Sequence, residues 1–171
     1  TFGDFNVDDQ IWPASLDFRL WNTFKIYRKS RQTVIDSKIW VDPDHVETLT
    51  IENWEQFVIH PGDFVLWVTL EKIKVPYDLV ARCEWRSSIG RLGIIIHSTA
   101  GFVDPGFEGT ITLEMTNINE VAVVLYAGMR IGQYAFQTVS WDVTTTYDKR
   151  IWSKYMHQVA PEESRIENDL H

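Results

Sequence analysis

One stretch of sequence, residues 57–70, decides the fold of this chain. It reads Phe57-Val58-Ile59-His60-Pro61-Gly62-Asp63-Phe64-Val65-Leu66-Trp67-Val68-Thr69-Leu70. Two runs rich in β-branched and aromatic residues flank a His-Pro-Gly-Asp turn, a pattern typical of strands joined by a tight connection. The stretch therefore predicts neighbouring β-strands rather than helices.

Strand signals continue along the chain on the C-terminal side of this stretch. Further strand-forming runs lie at residues 72–75, 93–97, 110–115, 121–126 and 131–139. Seven of the nine glycines fall between Gly90 and Gly132, where they mark tight turns and close backbone approaches. The best helix candidate is the short segment 87–92, which opens with two serines, residues that favour helix N-termini. Many short strands predict an all-β sandwich or barrel with short helices, as one domain over residues 1–171.

Composition narrows the possible partners of the chain. Its 171 residues suffice for one domain with a real core. The net charge of −8 disfavours nucleic acid as a partner, although a few converging cations can still hold a small anion. No apolar run is long enough to span a bilayer, so no membrane partner is expected. The lone Cys83 and an acidic N-terminal stretch without a secretion pattern favour the cytoplasm, or a host-cell cytoplasm if a virus encodes the chain.

The chemistry-bearing residues are concentrated between positions 86 and 114. This region contains Arg86-Ser87-Ser88-Ile89-Gly90-Arg91, then His97-Ser98-Thr99-Ala100-Gly101-Phe102-Val103-Asp104-Pro105-Gly106-Phe107-Glu108-Gly109, then Ile111-Thr112-Leu113-Glu114. Arginines and hydroxyls at a predicted helix start suit phosphate oxygens. Asp104 and Glu114 near such a cationic group can divide general-base and metal-facing roles. From these residues alone, a solvated turn with ordinary surface salt bridges stays an open alternative.

These motifs resemble the signature of the dCTP deaminase branch of the trimeric dUTPase superfamily. Similar motifs occur in order at residues 13–20 (Pro-Ala-Ser-Leu-Asp-Phe-Arg-Leu), 60–64 (His-Pro-Gly-Asp-Phe) and 128–133 (Gly-Met-Arg-Ile-Gly-Gln), and at Tyr147, Lys154, Tyr155, Gln158, Ser164 and Arg165. The resemblance implies distorted jelly-roll subunits that form a homotrimer with shared active sites. It implies dCTP and dUTP as ligands, dTTP as an inhibitor known among relatives, and Mg²⁺ carried by the triphosphate rather than bound directly by the protein.

The resemblance also implies a role for each matching residue. Glu114 would be the general acid/base of deamination, while Ser87 and Arg91 would place and polarise the attacking water with the backbone near Ala100. The phosphates would contact Arg86, Ser88 and Arg91. Asp104, Thr112 and Leu113 would meet the sugar and base. Residues 141–171 would close over the nucleotide through Tyr147, Lys154 and Gln158.

The cysteine content excludes the zinc-dependent deaminase pattern. Zinc deaminases activate water on a metal held by an H-x-E and P-C-x-x-C arrangement. Cys83 is the single cysteine, so this pattern cannot form and no zinc is expected.

The segment around Gly101 bears on the product. Thr-Ala-Gly before an Asp-Pro-Gly turn resembles members that also hydrolyse the triphosphate, releasing dUMP and pyrophosphate, whereas members that stop at dUTP more often have a bulkier residue at this position. Asp104 would then orient the water that attacks phosphorus. Two alternatives stay open: a deaminase that releases dUTP, and a non-catalytic nucleotide-binding regulatory trimer. A simple dUTPase is disfavoured because the Gly-rich C-terminal arm of those enzymes is absent.

Overall fold

A computed structural model describes residues 5–27, 34–38, 45–96, 101–141 and 143–169. It contains thirteen strands in this part of the chain: β1 Ile11–Trp12, β2 Ser15–Tyr27, β3 Val46–Thr50, β4 Gln56–Ile59, β5 Phe64–Thr69, β6 Ile73–Lys74, β7 Leu79–Trp85, β8 Ile94–Ile96, β9 Phe102–Val103, β10 Glu108–Gly109, β11 Thr112–Asn117, β12 Val123–Tyr126 and β13 Arg130–Thr138. Two four-residue helices accompany them, α1 Val7–Gln10 and α2 Ser87–Gly90. Among the described residues, none of the helices has the length and apolar character needed to cross a bilayer.

The strands form one large curled antiparallel sheet and two small ladders. Seven strands follow the order β8-β11-β5-β2-β13-β7-β9, and β1 and β3 also pair with β2. The ladders are β10 with β6 and β12 with β4. This arrangement confirms the predicted all-β jelly-roll fold with short helices.

The long strand β2 joins the two parts of the large sheet. Its first half pairs with β13 in the register Phe18↔Gly132, and its second half pairs with β5 in the register Phe24↔Trp67. The core lies against this strand: the Phe24 and Trp67 side chains are fully buried, and their ring centroids are 4.9 Å apart. All side chains of β5 after the exposed Phe64 are buried, so this strand runs through the core.

Helix α2 begins at Ser87, as predicted, but is shorter than the predicted helix. It ends at Gly90, and residues 91–93 form turns. Arg86 occupies the N-cap position in an extended conformation and makes no side-chain capping bond. The two serines are the first two residues of the helix, as the sequence predicts. The side chain of Ile89 is the buried one in this helix.

The C-terminal segment packs along β10 and β11 rather than fraying. The backbone carbonyl of Gln158 accepts hydrogen bonds from both the amide and the hydroxyl of Thr110, each at 3.0 Å. The amide of His157 donates to the carbonyl of Glu108 at 2.7 Å. These bonds place the tail beside the strand that carries Glu114.

Candidate active site

A cavity of about 390 Å³ lies between β11, the turn after β9 and the C-terminal tail. We call it the β11 cavity. Its size falls in the range of small-molecule sites, which run from about 300 to 1,000 Å³. Five residues predicted from the sequence line it: Asp104, Thr112, Glu114, Tyr147 and Gln158.

Strand β11 presents two of these side chains to the cavity. Burial alternates along the strand, so Thr112 and Glu114 are half-buried on the cavity side, whereas Leu113 is fully buried. The side chain of Leu113 belongs to the core, opposite Trp67 of β5. Any contact between Leu113 and a ligand must therefore be made by its backbone.

A tight turn holds Asp104 at the cavity wall. The amide of Phe107 donates to the carbonyl of Asp104 at 3.1 Å, and the amide of Gly106 donates to the carbonyl of Val75 at 3.0 Å. Gly106 has a φ of +87°, and a Cβ there would lie 2.5 Å from the carboxylate of Asp148. Only glycine fits this turn without strain. The Asp104 carboxylate is exposed, and within the described part of the chain it has no hydrogen-bond partner.

The tail forms the opposite wall of the β11 cavity. The hydroxyl of Thr112 accepts hydrogen bonds from the side-chain amide of Gln158 and from the amide of Glu162, the latter at 3.3 Å. The ring of Tyr147 packs on Phe107 with centroids 5.7 Å apart. These contacts bring Tyr147 and Gln158 to the wall. Lys154, in contrast, does not line the cavity.

The charge of the cavity wall is acidic. It carries Asp104, Glu114, Glu162 and Glu163, and none of its described lining residues is Lys or Arg. Glu163 pairs with Lys25 at 2.7 Å and Glu162 with Arg165 at 2.6 Å. This wall suits an uncharged base and sugar better than a triphosphate, since a polyanion needs cationic partners.

Cys83 lies close to the catalytic candidate Glu114. Burial, together with the negative charges of Glu114 and Glu84, raises the pKa of the Cys83 thiol to about 12. The thiol is therefore un-ionised at neutral pH, which makes it a poor nucleophile. Among the described residues, no group of three or more His, Cys, Asp or Glu side chains could hold a metal ion.

The second group of predicted residues lies on and beside α2, away from the β11 cavity. Ser87, Ser88 and Arg91 are exposed, and none of them lines the cavity. Arg86 is half-buried, with a guanidinium nitrogen 3.3 Å from the carboxylate of Asp17. One chain therefore contains an acidic cavity and a separate basic, hydroxyl-bearing segment.

Residues 3–139 match the family model described as dCTP deaminase-like. The chain belongs to the dCTP deaminase-like family. A curated relative from Dictyoglomus thermophilum, named dCTP deaminase, dUMP-forming, is 48% identical over 96% of this chain and 86% of its own length. A relative of the same name from Methanobrevibacter smithii is 48% identical over 95% of this chain and 84% of its own. The crystal structure of 2'-deoxycytidine 5'-triphosphate deaminase from Agrobacterium tumefaciens superimposes with a TM-score of 0.61 at 26% identity, over 78% of this chain and 40% of that chain.

Gly101 of this dCTP deaminase-like chain has a structural reason to lack a side chain. Its carbonyl accepts a hydrogen bond from the amide of Cys83 at 2.8 Å, and an added Cβ would lie 3.2 Å from the Cys83 carbonyl oxygen. Gly101 itself does not line the cavity, but the next residue, Phe102, does. His97 and Ala100, which the sequence also singled out, lie outside the described residues.

Several cavity residues of this family member were not predicted. Tyr27, Phe64, Phe102 and Phe107 give the wall an aromatic character, and the rings of Tyr27 and Phe64 lie 5.7 Å apart. Phe64 and Phe102 are unusually exposed for large apolar side chains, at 47% and 63%. The pairing of β2 with β5 brings Tyr27 to Phe64 across a long sequence separation, and no local pattern signals that contact.

Proposed function

We propose that this chain is a zinc-independent bifunctional dCTP deaminase/dUTPase that converts dCTP to dUMP and pyrophosphate in pyrimidine deoxynucleotide metabolism. The observation that carries the proposal is the Glu114 carboxylate on the wall of an aromatic, acidic cavity. A pure nucleotide-binding protein has no need for a carboxylate there. The relatives named dCTP deaminase, dUMP-forming support the second activity as well as the first.

In the first reaction, Glu114 handles the protons. Water adds to C4 of cytosine while Glu114 accepts its proton and delivers a proton to the ring nitrogen N3. Glu114 then moves the hydroxyl proton to the amino group, which leaves as ammonia, so dCTP and water yield dUTP and ammonia. General acid–base catalysis of this kind contributes about 10²- to 10⁴-fold. Ser87 and Arg91, with the backbone near Ala100, orient the attacking water.

The triphosphate requires residues that the β11 cavity of one chain does not offer. Arg86, Ser88 and Arg91 supply the missing hydrogen-bond donors and positive charge when a second copy brings its α2 to the cavity rim. The acidic wall supports this arrangement because it would repel a triphosphate without such cations. We therefore propose a homotrimer with active sites shared between subunits.

In the second reaction, Asp104 orients a water molecule for attack on the α-phosphorus of dUTP, and pyrophosphate leaves. Its exposed carboxylate at the cavity wall is free to accept hydrogen bonds from that water. Mg²⁺ would enter this site bound to the triphosphate, where it would neutralise phosphate charge. The carboxylate of Asp104 is compatible with a nearby Mg²⁺, because this ion prefers oxygen ligands. dTTP shares the sugar and the triphosphate with the substrates, so we propose that it inhibits the enzyme. We also propose that the enzyme is cytoplasmic.

Residues 141–171 close over the nucleotide in this proposal. Tyr147 and Gln158 are already at the cavity wall, and Lys154 would join them when the nucleotide is bound. We also propose that residues 1–171 form one domain.

Incubation with dCTP and Mg²⁺, followed by chromatography of the products, tests the function. Formation of dUMP supports the bifunctional enzyme. Accumulation of dUTP alone removes the second activity, and the absence of any product favours the regulatory binder.

Shared sites are tested by mixing two inactive variants. Glu114→Gln removes the acid/base and Arg91→Ala removes the phosphate partner. If the sites are shared, subunit exchange rebuilds some complete sites and activity returns. If the masses of the mixed oligomers show that subunits have exchanged and the samples stay inactive, each site is formed by one chain.

A further inference from the structure

Asp17 is a buried carboxylate that no step of the proposed reactions uses. It lies on β2 and is 1% exposed. One of its oxygens, Oδ2, is 3.1 Å from the indole Nε1 of Trp12, 3.3 Å from Nη1 of Arg86 and 3.8 Å from Nη1 of Arg130. A buried carboxylate with one hydrogen-bond donor and two nearby guanidinium groups is a built arrangement rather than a surface accident.

A second buried carboxylate completes what we call the Asp17 cluster, formed by Asp17, Glu71, Arg19, Arg86 and Arg130. Glu71 is fully buried. Its carboxylate accepts hydrogen bonds from the backbone amide of Arg19 at 2.9 Å and from Nε of Arg19 at 2.6 Å. The side chain of Gln10 bridges the two carboxylate residues, since its Nε2 donates to Glu71 and to the carbonyl of Asp17, both at 2.8 Å.

The division of partners within the Asp17 cluster is specific. Glu71 forms an ion pair with Arg19, while Asp17 forms ion pairs with Arg86 and Arg130. The side chain of Arg86 remains 28% exposed, and a guanidinium has five N–H donors, so binding to Asp17 leaves others for a ligand.

We propose that Asp17 is a positioning residue that holds the Arg86 guanidinium ready for the nucleotide phosphates. The inference rests on the proposed function, which assigns Arg86 to the phosphates. A free arginine loses considerable rotamer entropy on binding, and a partner that fixes it beforehand lowers that loss. Asp17 acts only through Arg86 and does not touch the substrate.

The experiment compares Asp17→Asn with the matched variant Glu71→Gln. Both remove one charge from a buried carboxylate of the Asp17 cluster, but only Asp17 contacts Arg86. We expect Asp17→Asn to raise KM for dCTP about tenfold with little change in kcat, as expected when a ground-state phosphate contact weakens. We expect Glu71→Gln to lower the melting temperature but to leave KM within about twofold.

A double-mutant cycle with Arg86→Gln distinguishes the positioning of Arg86 by Asp17 from a purely structural role of Asp17. If Asp17 acts through Arg86, the double variant binds dCTP no more weakly than Arg86→Gln alone. Additive effects on KM, or equal effects of Asp17→Asn and Glu71→Gln, would overturn the proposal. If Asp17→Asn does not fold, Trp12→Phe removes one donor to Asp17 at a half-exposed position, and an unchanged KM in that variant also counts against it.

The test separates this inference from the proposed function. If the parent protein turns dCTP over, the function stands whatever the variants do. If it does not, calorimetric binding of dCTP and of dCMP to the same variants still tests Asp17. The proposal requires Asp17→Asn to weaken dCTP binding far more than dCMP binding, and equal weakening would contradict it.

Discussion

The side-chain amide of Gln158 donates a hydrogen bond to the hydroxyl of Thr112. The tail is thereby bonded to the strand that carries Glu114, two residues further on. The amide of Glu162 donates to the same hydroxyl at 3.3 Å, so one side chain receives two bonds from the C-terminal segment. The position of the tail and the shape of the β11 cavity are therefore coupled through the hydroxyl of Thr112.

Thr112→Val is expected to loosen the tail and weaken dCTP binding. It keeps the branched shape but leaves two donors unsatisfied, and one such bond is worth about 0.5–1.5 kcal/mol. Trypsin should cut more readily at Lys154, and KM for dCTP should rise by roughly five- to tenfold. Thr116→Val on the same face of β11 is the control, since among the described residues its hydroxyl makes no hydrogen bond. Equal proteolysis of both variants would contradict the coupling.

Glu114→Gln is expected to abolish deamination and to spare nucleotide binding. The amide keeps the shape of the side chain but cannot accept and return protons, so kcat should fall by at least about a hundredfold. Calorimetry should give a dCTP affinity close to that of the parent. Glu84→Gln on β7 serves as the control because Glu84 does not line the cavity. Turnover by Glu114→Gln near the parent rate would refute the assigned mechanism.

Gly101→His is expected to shift the products from dUMP towards dUTP. A Cβ at this position already lies 3.2 Å from the carbonyl oxygen of Cys83, so a larger side chain must displace the backbone next to Phe102 at the cavity wall. Gly101→Ala should give a smaller shift in the same direction. The ratio of the two products, followed by chromatography over time, measures the effect, and an unchanged ratio in both variants would remove Gly101 from the account of product choice.

Gly132→Ala is expected to destabilise the fold by about 1–3 kcal/mol, as overpacking does in a close-packed core. Its Cβ would lie 2.3 Å from Cζ of Phe18 and 2.9 Å from the carbonyl oxygen of Glu84. Phe18 is 2% exposed and packs on Tyr134, so it has no room to move. Gly90→Ala meets no atom within 4 Å and should be neutral or mildly stabilising. Thermal unfolding of both variants distinguishes these outcomes.

Stability should fall at alkaline pH, in part because of Cys83. Its pKa is raised from 9.0 to about 12, so only the unfolded chain ionises it between these values. The contribution of the protonated thiol is complete below pH 9 and is lost as pH rises towards 12. Burial also raises the pKa of Tyr134, which adds to the same trend.

Denaturant unfolding of the parent and of Cys83→Ala, on both sides of pH 9, measures this effect. The variant should lose less stability than the parent on going to alkaline pH. Alkylation of the folded parent by iodoacetamide at neutral pH should be slow and should accelerate on unfolding. Fast alkylation of the folded protein would show that the thiol is accessible and ionised.

Local pattern was sufficient to predict about half of the strands. The runs that became β4, β5, β6, β8, β11, β12 and β13 were expected within a few residues, because alternation and turn residues act locally. The two-residue strands β1, β9 and β10 are too short to leave a periodic signal. Helix α2 begins at Ser87, as predicted, but ends at Gly90 rather than at Leu92.

The candidate site was predictable only in part. Motifs identified Asp104, Thr112 and Glu114, which the fold brings to one cavity. They did not reveal that Asp17 contacts Arg86, because that ion pair joins β2 to the N-cap of α2, far apart in sequence. They also could not separate side chains facing the cavity from those facing the core, as Leu113 illustrates.

The thirteen-residue strand β2 has a consequence for how the protein loses its structure. Because its two halves pair with different partners, neither half of the large sheet can melt while the other keeps its native edge. Unfolding followed by near-ultraviolet circular dichroism and by tryptophan fluorescence should therefore give coincident transitions. A chain organised around one shared strand loses both of its halves in a single cooperative step.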